Sequence, residues 1–268
     1  MRFNRTTGAN TALINVMISA AEKAGRSLIN SFGEIEKLQV AKKGPADFMS
    51  EADRRAEEIL YRELLKARPK YGFIMEERGT IKAEDSSNTW IVDPLDGTLN
   101  FLHGLPHFCV SIALERDTKI FAGVIYEPIS DQMFWAERGR GAFLNGQRIR
   151  VSSRSDISDA VFASGIPSAS RCNHSKFLKE LESVMAISAG VRHFGSAALD
   201  LAYVAAGRYE GFWERELHPW DLAAGLILVR EAGGFVSDFL GYDRSLETGE
   251  IVATNSELHA YLRKILGT

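Results

Sequence analysis

Trp90-Ile91-Val92-Asp93-Pro94-Leu95-Asp96-Gly97-Thr98-Leu99-Asn100-Phe101 says more about fold and chemistry than any other stretch of the chain. Its apolar, β-branched start predicts the end of a buried strand, which breaks at Pro94 and delivers two aspartates, a glycine and a threonine in quick succession. Carboxylates and free backbone N–H groups at the C-terminal end of a strand suit divalent cations and a phosphate. Asp, Pro and Gly are also ordinary turn residues, so a strand ending in a polar turn competes until the chain's other acids are considered.

The composition excludes several classes. The chain has 268 residues, 45% hydrophobic and 25% charged, enough for a substantial soluble core. Thirty-two Lys+Arg against 35 Asp+Glu give a net charge of −3, which argues against a general nucleic-acid binder. Cys109 and Cys172 lie far apart with no C-x-x-C pair, so neither zinc nor a disulfide framework is expected; reduced thiols in a cytoplasmic protein are. Arg2 and Arg5 precede a short apolar run at 12–21, but Asn15 and Ser19 interrupt it. It continues amphipathically through Ala24, Leu28 and Ile29, as a mature helix does and a signal peptide does not. No run approaches the roughly 18–20 apolar residues of a membrane span.

Periodicity predicts helices at 11–32 and 53–68, the second opened by Ser50-Glu51-Ala52-Asp53 with capping-box spacing. A polar connection or hairpin at 42–47 separates them, and a short strand at 73–75 ends in Glu76-Glu77. From 90 to 151 closely spaced strands (109–114, 120–126, 132–136) and turn signals, Asn145-Gly146 among them, imply an antiparallel meander. The second half mixes strands at 160–163, 191–194, 209–213, 235–238 and 251–254 with helices at 175–185, 196–206, 221–232 and 256–266. The expected division is soft: residues 1–151 as an α+β part with most of the acids, 152–268 as an α/β part supplying Asp221, both in one compact body.

The acids recur at strand ends and helix starts. Glu76 and Glu77, Asp93 and Asp96, and Asp221 after His218-Pro219-Trp220 are the main ones; Asp47 and Asp53 flank the capping box. Singly each has a structural explanation: a cap for Asp53, the helix dipole for Asp221, a solvated loop for Glu76-Glu77. Gathered in one pocket they repel, by about 4 kcal/mol per pair at 4 Å and an effective dielectric near 20, and need cations. Hard oxygen donors without a His or Cys pattern point to Mg²⁺ or Mn²⁺. With Gly97-Thr98 offering N–H groups to a phosphate, metal-assisted hydrolysis of a phosphate ester is the matching chemistry.

Over essentially its whole length the chain resembles the inositol monophosphatase family of Mg²⁺-dependent, lithium-sensitive sugar phosphatases. Four motifs in order carry the resemblance: 45–47 through Asp53, Glu76-Glu77, Asp93-Pro94-Leu95-Asp96-Gly97-Thr98, and His218-Pro219-Trp220-Asp221 with Ala223-Ala224-Gly225. It implies an αβαβα layered sandwich of the inositol monophosphatase/fructose-1,6-bisphosphatase type, a small phosphate ester as substrate and a homodimer. It implies two to three Mg²⁺ per site. One is bound by Glu76, Asp93 and the Leu95 carbonyl, a second by Asp93, Asp96 and Asp221, and a looser third contacts Glu76. A metal-activated water attacks, oriented by Thr98 hydrogen-bonded to Asp53, with Glu76 on the same side. Gly97 and Thr98 N–H groups hold phosphate oxygens; Gly195, Ser196, Ala197, Glu214 and Asp221 line the substrate. Asp47, Glu77 and Lys42 stand behind these contacts. Arg78 departs from the family, where small residues follow the paired glutamates.

The resulting expectation is a phosphomonoesterase acting on myo-inositol monophosphate or a similar polyol phosphate. Fructose-1,6-bisphosphate and other superfamily substrates stay open, and Leu99-Asn100-Phe101 favours the inositol branch. A binding or regulatory protein on the same scaffold is the alternative from another class, and the full acid set together with Thr98 weighs against it. His218, His103 and His107 are expected to be structural.

Overall fold

The computed structural model describes residues 10–34, 40–44, 47–167 and 174–267; Pro45, Ala46 and Cys172 lie outside, as do the side chains of Lys42 and Asp47. Helix α1 (Ala12–Phe32) is capped by Thr11, and the hairpin β1 (Val40–Gly44)–β2 (Asp47–Ser50) leads directly into α2 (Glu51–Ala67). Then follow β3 (Tyr71–Met75), β4 (Gly79–Ile81), β5 (Asp85–Asp96), α3 (Thr98–Leu102), β6 (Cys109–Arg116), β7 (Lys119–Glu127), β8 (Gln132–Glu137), β9 (Gly141–Leu144) and β10 (Gln147–Ile149). The remainder comprises β11 (Val161–Ser164), α4 (His174–Met185), β12 (Gly190–Arg192), α5 (Ala197–Ala205), β13 (Gly211–Glu214), α6 (Pro219–Glu231), β14 (Phe235–Ser237), α7 (Ser245–Thr248), β15 (Ile251–Thr254) and α8 (His259–Ile265).

One sheet has eight strands in the order β10-β9-β8-β7-β6-β5-β3-β4 and another five, β12-β11-β13-β15-β14. β5 to β10 form the antiparallel meander that their short spacings predict; β3 and β5 pair in parallel because β4 intervenes in sequence and closes the edge. Side-chain alternation then sorts the layers. On β5, Trp90 and Val92 join the core under α1 and α2, while Ile91 joins the core under α5 and α6. On the five-stranded sheet, Phe212 and Ala253 face α5 and α6, while Phe162, Trp213 and Val252 face α4 and α8. The order α1/α2, sheet, α5/α6, sheet, α4/α8 is the αβαβα sandwich that the resemblance implies.

Two local features differ from expectation. Pro94 does not end β5: pairing resumes beyond it, with Asp93 opposite Ser111 and Asp96 opposite Cys109. Three residues on β5 therefore span two on β6, a bulge that absorbs the proline where no ladder N–H is required. The residues after Asp96 are not a bare turn but open a short helix, α3, entered through Gly97 at φ +94°. A Cβ there would lie 3.0 Å from the His107 carbonyl, so both conformation and space call for glycine.

Helix α6 rests directly on β7. A Cβ at Gly123 would come within 2.8 Å of the Ala224 carbonyl and 2.9 Å of its Cα. Among the described residues no helix is long and apolar enough to cross a membrane.

Gly123→Ala should force α6 off the sheet and cost about 1–3 kcal/mol, read as a lower midpoint of denaturant unfolding at unchanged slope; wild-type stability in that variant would show that the contact yields. A second expectation concerns acid. The His259 ring bridges Thr254 Oγ1 and Ser237 Oγ, each at 3.0 Å, and burial, with Arg263 nearby, lowers its pKa to about 4. The unfolded imidazole titrates near 6.5, so between those values the unfolded chain holds more protons and stability falls as pH drops. Equilibrium unfolding from pH 7 to 4 should show this slope in the wild type and a shallower one in His259→Gln.

Candidate active site

The bulge decides where the acids point. In a regular strand residues three apart face opposite sides; the extra residue between Asp93 and Asp96 puts both on the side of Ser111 and Cys109. That side carries Ile91 and faces α5 and α6. Leu95, between them, sends its side chain into the opposite core and is 1% exposed.

Asp221 arrives from α6. Pro219 occupies the first turn, and the Asp221 carboxylate accepts the His218 N–H at 2.8 Å, closing the helix start. Ser111 Oγ donates to the Trp220 carbonyl at 3.3 Å and pins this end of α6 to β6. Oxygens of Asp93, Asp96 and Asp221 consequently lie within 4.8 Å of one another. Asp93 is buried, and its carboxyl is held well above the usual range, first by desolvation and then by the charges of Glu76, Asp96 and Asp221. Glu76 therefore belongs to the same electrostatic cluster, placed by the end of β3 through its N–H to the Val92 carbonyl at 3.3 Å.

Each acid has an anchor. One Asp93 oxygen accepts the Leu95 N–H at 2.8 Å. Asp96 Oδ2 accepts Ser196 Oγ at 2.6 Å and the Ala198 N–H at 2.8 Å, so it sits on the N-terminus of α5; these bonds partly offset the burial that raises its pKa. Asp53 completes the capping box of α2, its Oδ2 accepting the Ser50 N–H at 2.8 Å, which leaves Oδ1 to accept from Thr98 Oγ1 at 3.1 Å. Burial raises the Asp53 pKa, and Ser50 and Thr98 oppose that shift. The Leu95 carbonyl lies 3.0 Å from the same Thr98 hydroxyl.

Other expected positions divide. Gly195, at φ +78°, is exposed, but Ser196 and Ala197 are buried, and the Ser196 hydroxyl is engaged by Asp96. Glu214 ends β13 and lies against Gly165, where a Cβ would overlap its carboxylate. His218 stacks on Trp220 at 4.7 Å, and His107 packs between Phe194 and Tyr203.

Glu57 and Asn100 escaped sequence reasoning, and Arg78 takes a place its sequence position did not show. Glu57, buried on α2, accepts the Glu77 N–H at 2.8 Å and the Arg78 N–H at 3.3 Å, fixing the loop that carries Glu76. Arg78 turns back to Glu57 and Glu58 and lies over Tyr61, so its cation braces α2. Asn100 donates to the carbonyls of His107 at 2.8 Å and Phe194 at 2.6 Å. A polar residue between Leu99 and Phe101 was the available signal.

Known proteins match the chain over nearly all of its length. The profile of the inositol monophosphatase family matches residues 9–267. The inositol-1-monophosphatase of Mesorhizobium japonicum is 58% identical over 96% of this chain and 96% of its own length. A Pseudomonas aeruginosa protein named Nus factor SuhB is 43% identical over 91% of this chain and 92% of its own. The crystal structure of extragenic suppressor protein suhB from Bartonella henselae superposes with a TM-score of 0.94 at 55% identity, covering 96% and 99% of the two chains. With a match this extensive in sequence and fold, the chain belongs to the inositol monophosphatase family.

Proposed function

We propose that the chain is a Mg²⁺-dependent phosphomonoesterase that hydrolyses myo-inositol monophosphate, or a similar sugar or polyol phosphate, to free polyol and phosphate. The convergence of Asp93, Asp96 and Asp221 from two distant elements, with Glu76 alongside, carries this reading. The donor set fits Mg²⁺ or Mn²⁺: it is all oxygen, and its buried centre is crowded by like charge that a divalent cation neutralises. Glu76, Asp93, the Leu95 carbonyl, Asp96 and Asp221 would hold two to three such ions, which when bound supply Lewis acidity and a nucleophilic water near neutral pH.

The chain's own groups do the rest. Thr98 Oγ1 has a single proton; donated in a hydrogen bond to Asp53 Oδ1, it leaves the oxygen as an acceptor that orients the attacking water, and as the water's proton passes to Thr98 the Thr98 proton passes to Asp53. Glu76 works from the same side. The N–H groups of Gly97 and Thr98, which have no intrahelical acceptor at the start of α3, receive phosphate oxygens. Gly195, with Ser196 and Ala197 beneath it, and Glu214 form the wall for the polyol. Cys109 and Ser196 are poor nucleophiles here: burial holds the thiol protonated, and the hydroxyl serves Asp96. Direct displacement by water follows, without a covalent intermediate. A cytoplasmic homodimer is part of the proposal.

The relative named Nus factor SuhB favours one second reading, a binding role on the same scaffold. Asp93→Asn separates the two, since it removes turnover and leaves the surface intact.

Phosphate release from myo-inositol 1-phosphate should require Mg²⁺ and stop with chelator; preference for a nucleotide 3′-phosphate, or no Mg²⁺-dependent release from any polyol phosphate, would overturn the assignment. Thr98→Val should lower kcat by about 10²–10⁴ with the metal requirement unchanged. Saturating Mg²⁺ should raise the wild-type Tm by about 5 °C or more. Because burial and the neighbouring Glu76, Asp96 and Asp221 disfavour a carboxylate at Asp93, metal-free Asp93→Asn should melt at or above the metal-free wild type, and Mg²⁺ should no longer raise its Tm.

A further inference from the structure

The cradle Gly97-Thr98 and the wall 194–198 belong to segments about a hundred residues apart, and their spacing is fixed by side chains. Asp96 reaches across to Ser196 Oγ and the Ala198 N–H. Asn100, one turn into α3, reaches across in the same direction. Its amide has two hydrogens, and the His107 carbonyl at 2.8 Å and the Phe194 carbonyl at 2.6 Å take both. The Gly195 carbonyl lies at 3.5 Å from the same nitrogen, and the Gly195 backbone passes so close that a Cβ there would sit 3.3 Å from it. The His107 carbonyl in turn lies against Gly97. One amide thus ties the loop under the cradle to the irregular segment after β12, which has no ladder partner at Phe194 and Gly195.

We propose that Asn100 is a positioning residue for substrate selectivity: it sets the gap between the phosphate cradle and the polyol wall without touching the metals. This rests on the phosphatase reading above. Its loss should leave phosphate handling largely intact and loosen the fit of the hydroxyl-bearing half of the substrate. Removing the donor leaves the Phe194 carbonyl without that anchor, and a wall misplaced by about 1 Å is enough for large losses in oriented reactions.

The test compares myo-inositol 1-phosphate with p-nitrophenyl phosphate, which has no polyol, in the wild type, Asn100→Ala and Asn100→Asp. In both variants kcat/KM for the inositol ester should fall about tenfold or more, mainly through KM, while that for the aryl ester changes less than about twofold. Equal losses on both esters, or no loss on either, would overturn the proposal. So would failure of both variants to show the wild-type Mg²⁺-induced rise in Tm, since Asn100 would then serve the fold or the metal centre. A wild type that cleaves the aryl ester but prefers no polyol phosphate removes the selectivity and this proposal, leaving a metal-dependent phosphatase; a wild type that cleaves neither refutes the phosphatase reading itself.

Discussion

Asp93 is buried among three other carboxylates, and that repulsion is the constraint around which the surrounding structure is arranged. Carboxylates crowded this closely disfavour one another's charged form and, when ionised, push β5, α6 and the loop after β3 apart. Each is held by unrelated bonds. Helix α6 rests on Gly123 and is pinned through Ser111 to β6; Asp96 is bound at the start of α5; Glu57 fixes the loop at Glu77 and Arg78. The apolar layers supply the stability against which this local cost is set, as is usual where function requires strain.

The same devices that start helices also aim the acids. Asp53 and Asp221 each occupy the third position of a helix and each accept the N–H of the capping residue. A capping box fixes a carboxylate to within one rotamer, so a motif that stabilises a helix end also presents a preset oxygen to the site. At Asp53 the free oxygen meets Thr98. At β5 the device is the bulge, which turns Asp93 and Asp96 to one face and leaves Leu95 in the opposite core. A strand without the bulge would send one of the two aspartates into the packing under α1 and α2.

Much of this was legible in the chain. The apolar, β-branched run at Trp90-Ile91-Val92, capping spacing at Ser50 and Asp53, and the Asn145-Gly146 turn are local signals, and the elements they mark formed with shifts of a few residues. The acids were identifiable by type and by motif, and their order matched a family. What the residues did not reveal depends on partners remote in sequence. The bulge exists only relative to β6, and α3 is hidden behind a proline and a glycine that ordinarily mean a turn. Glu57 reads as one more surface acid of an amphipathic helix until the loop at Glu77 folds over it. The bond from the Ser196 hydroxyl to Asp96 is likewise invisible in the chain, because it exists only where α5 begins and its N-terminus attracts the carboxylate.

Anomalous diffraction from crystals grown with Mn²⁺ tests the central claim most directly. Metal peaks should lie on both sides of Asp93, one shared with Glu76 and one shared with Asp96 and Asp221. Crystals saturated with Mn²⁺ that show no peak within bonding distance of Asp93 would contradict the account.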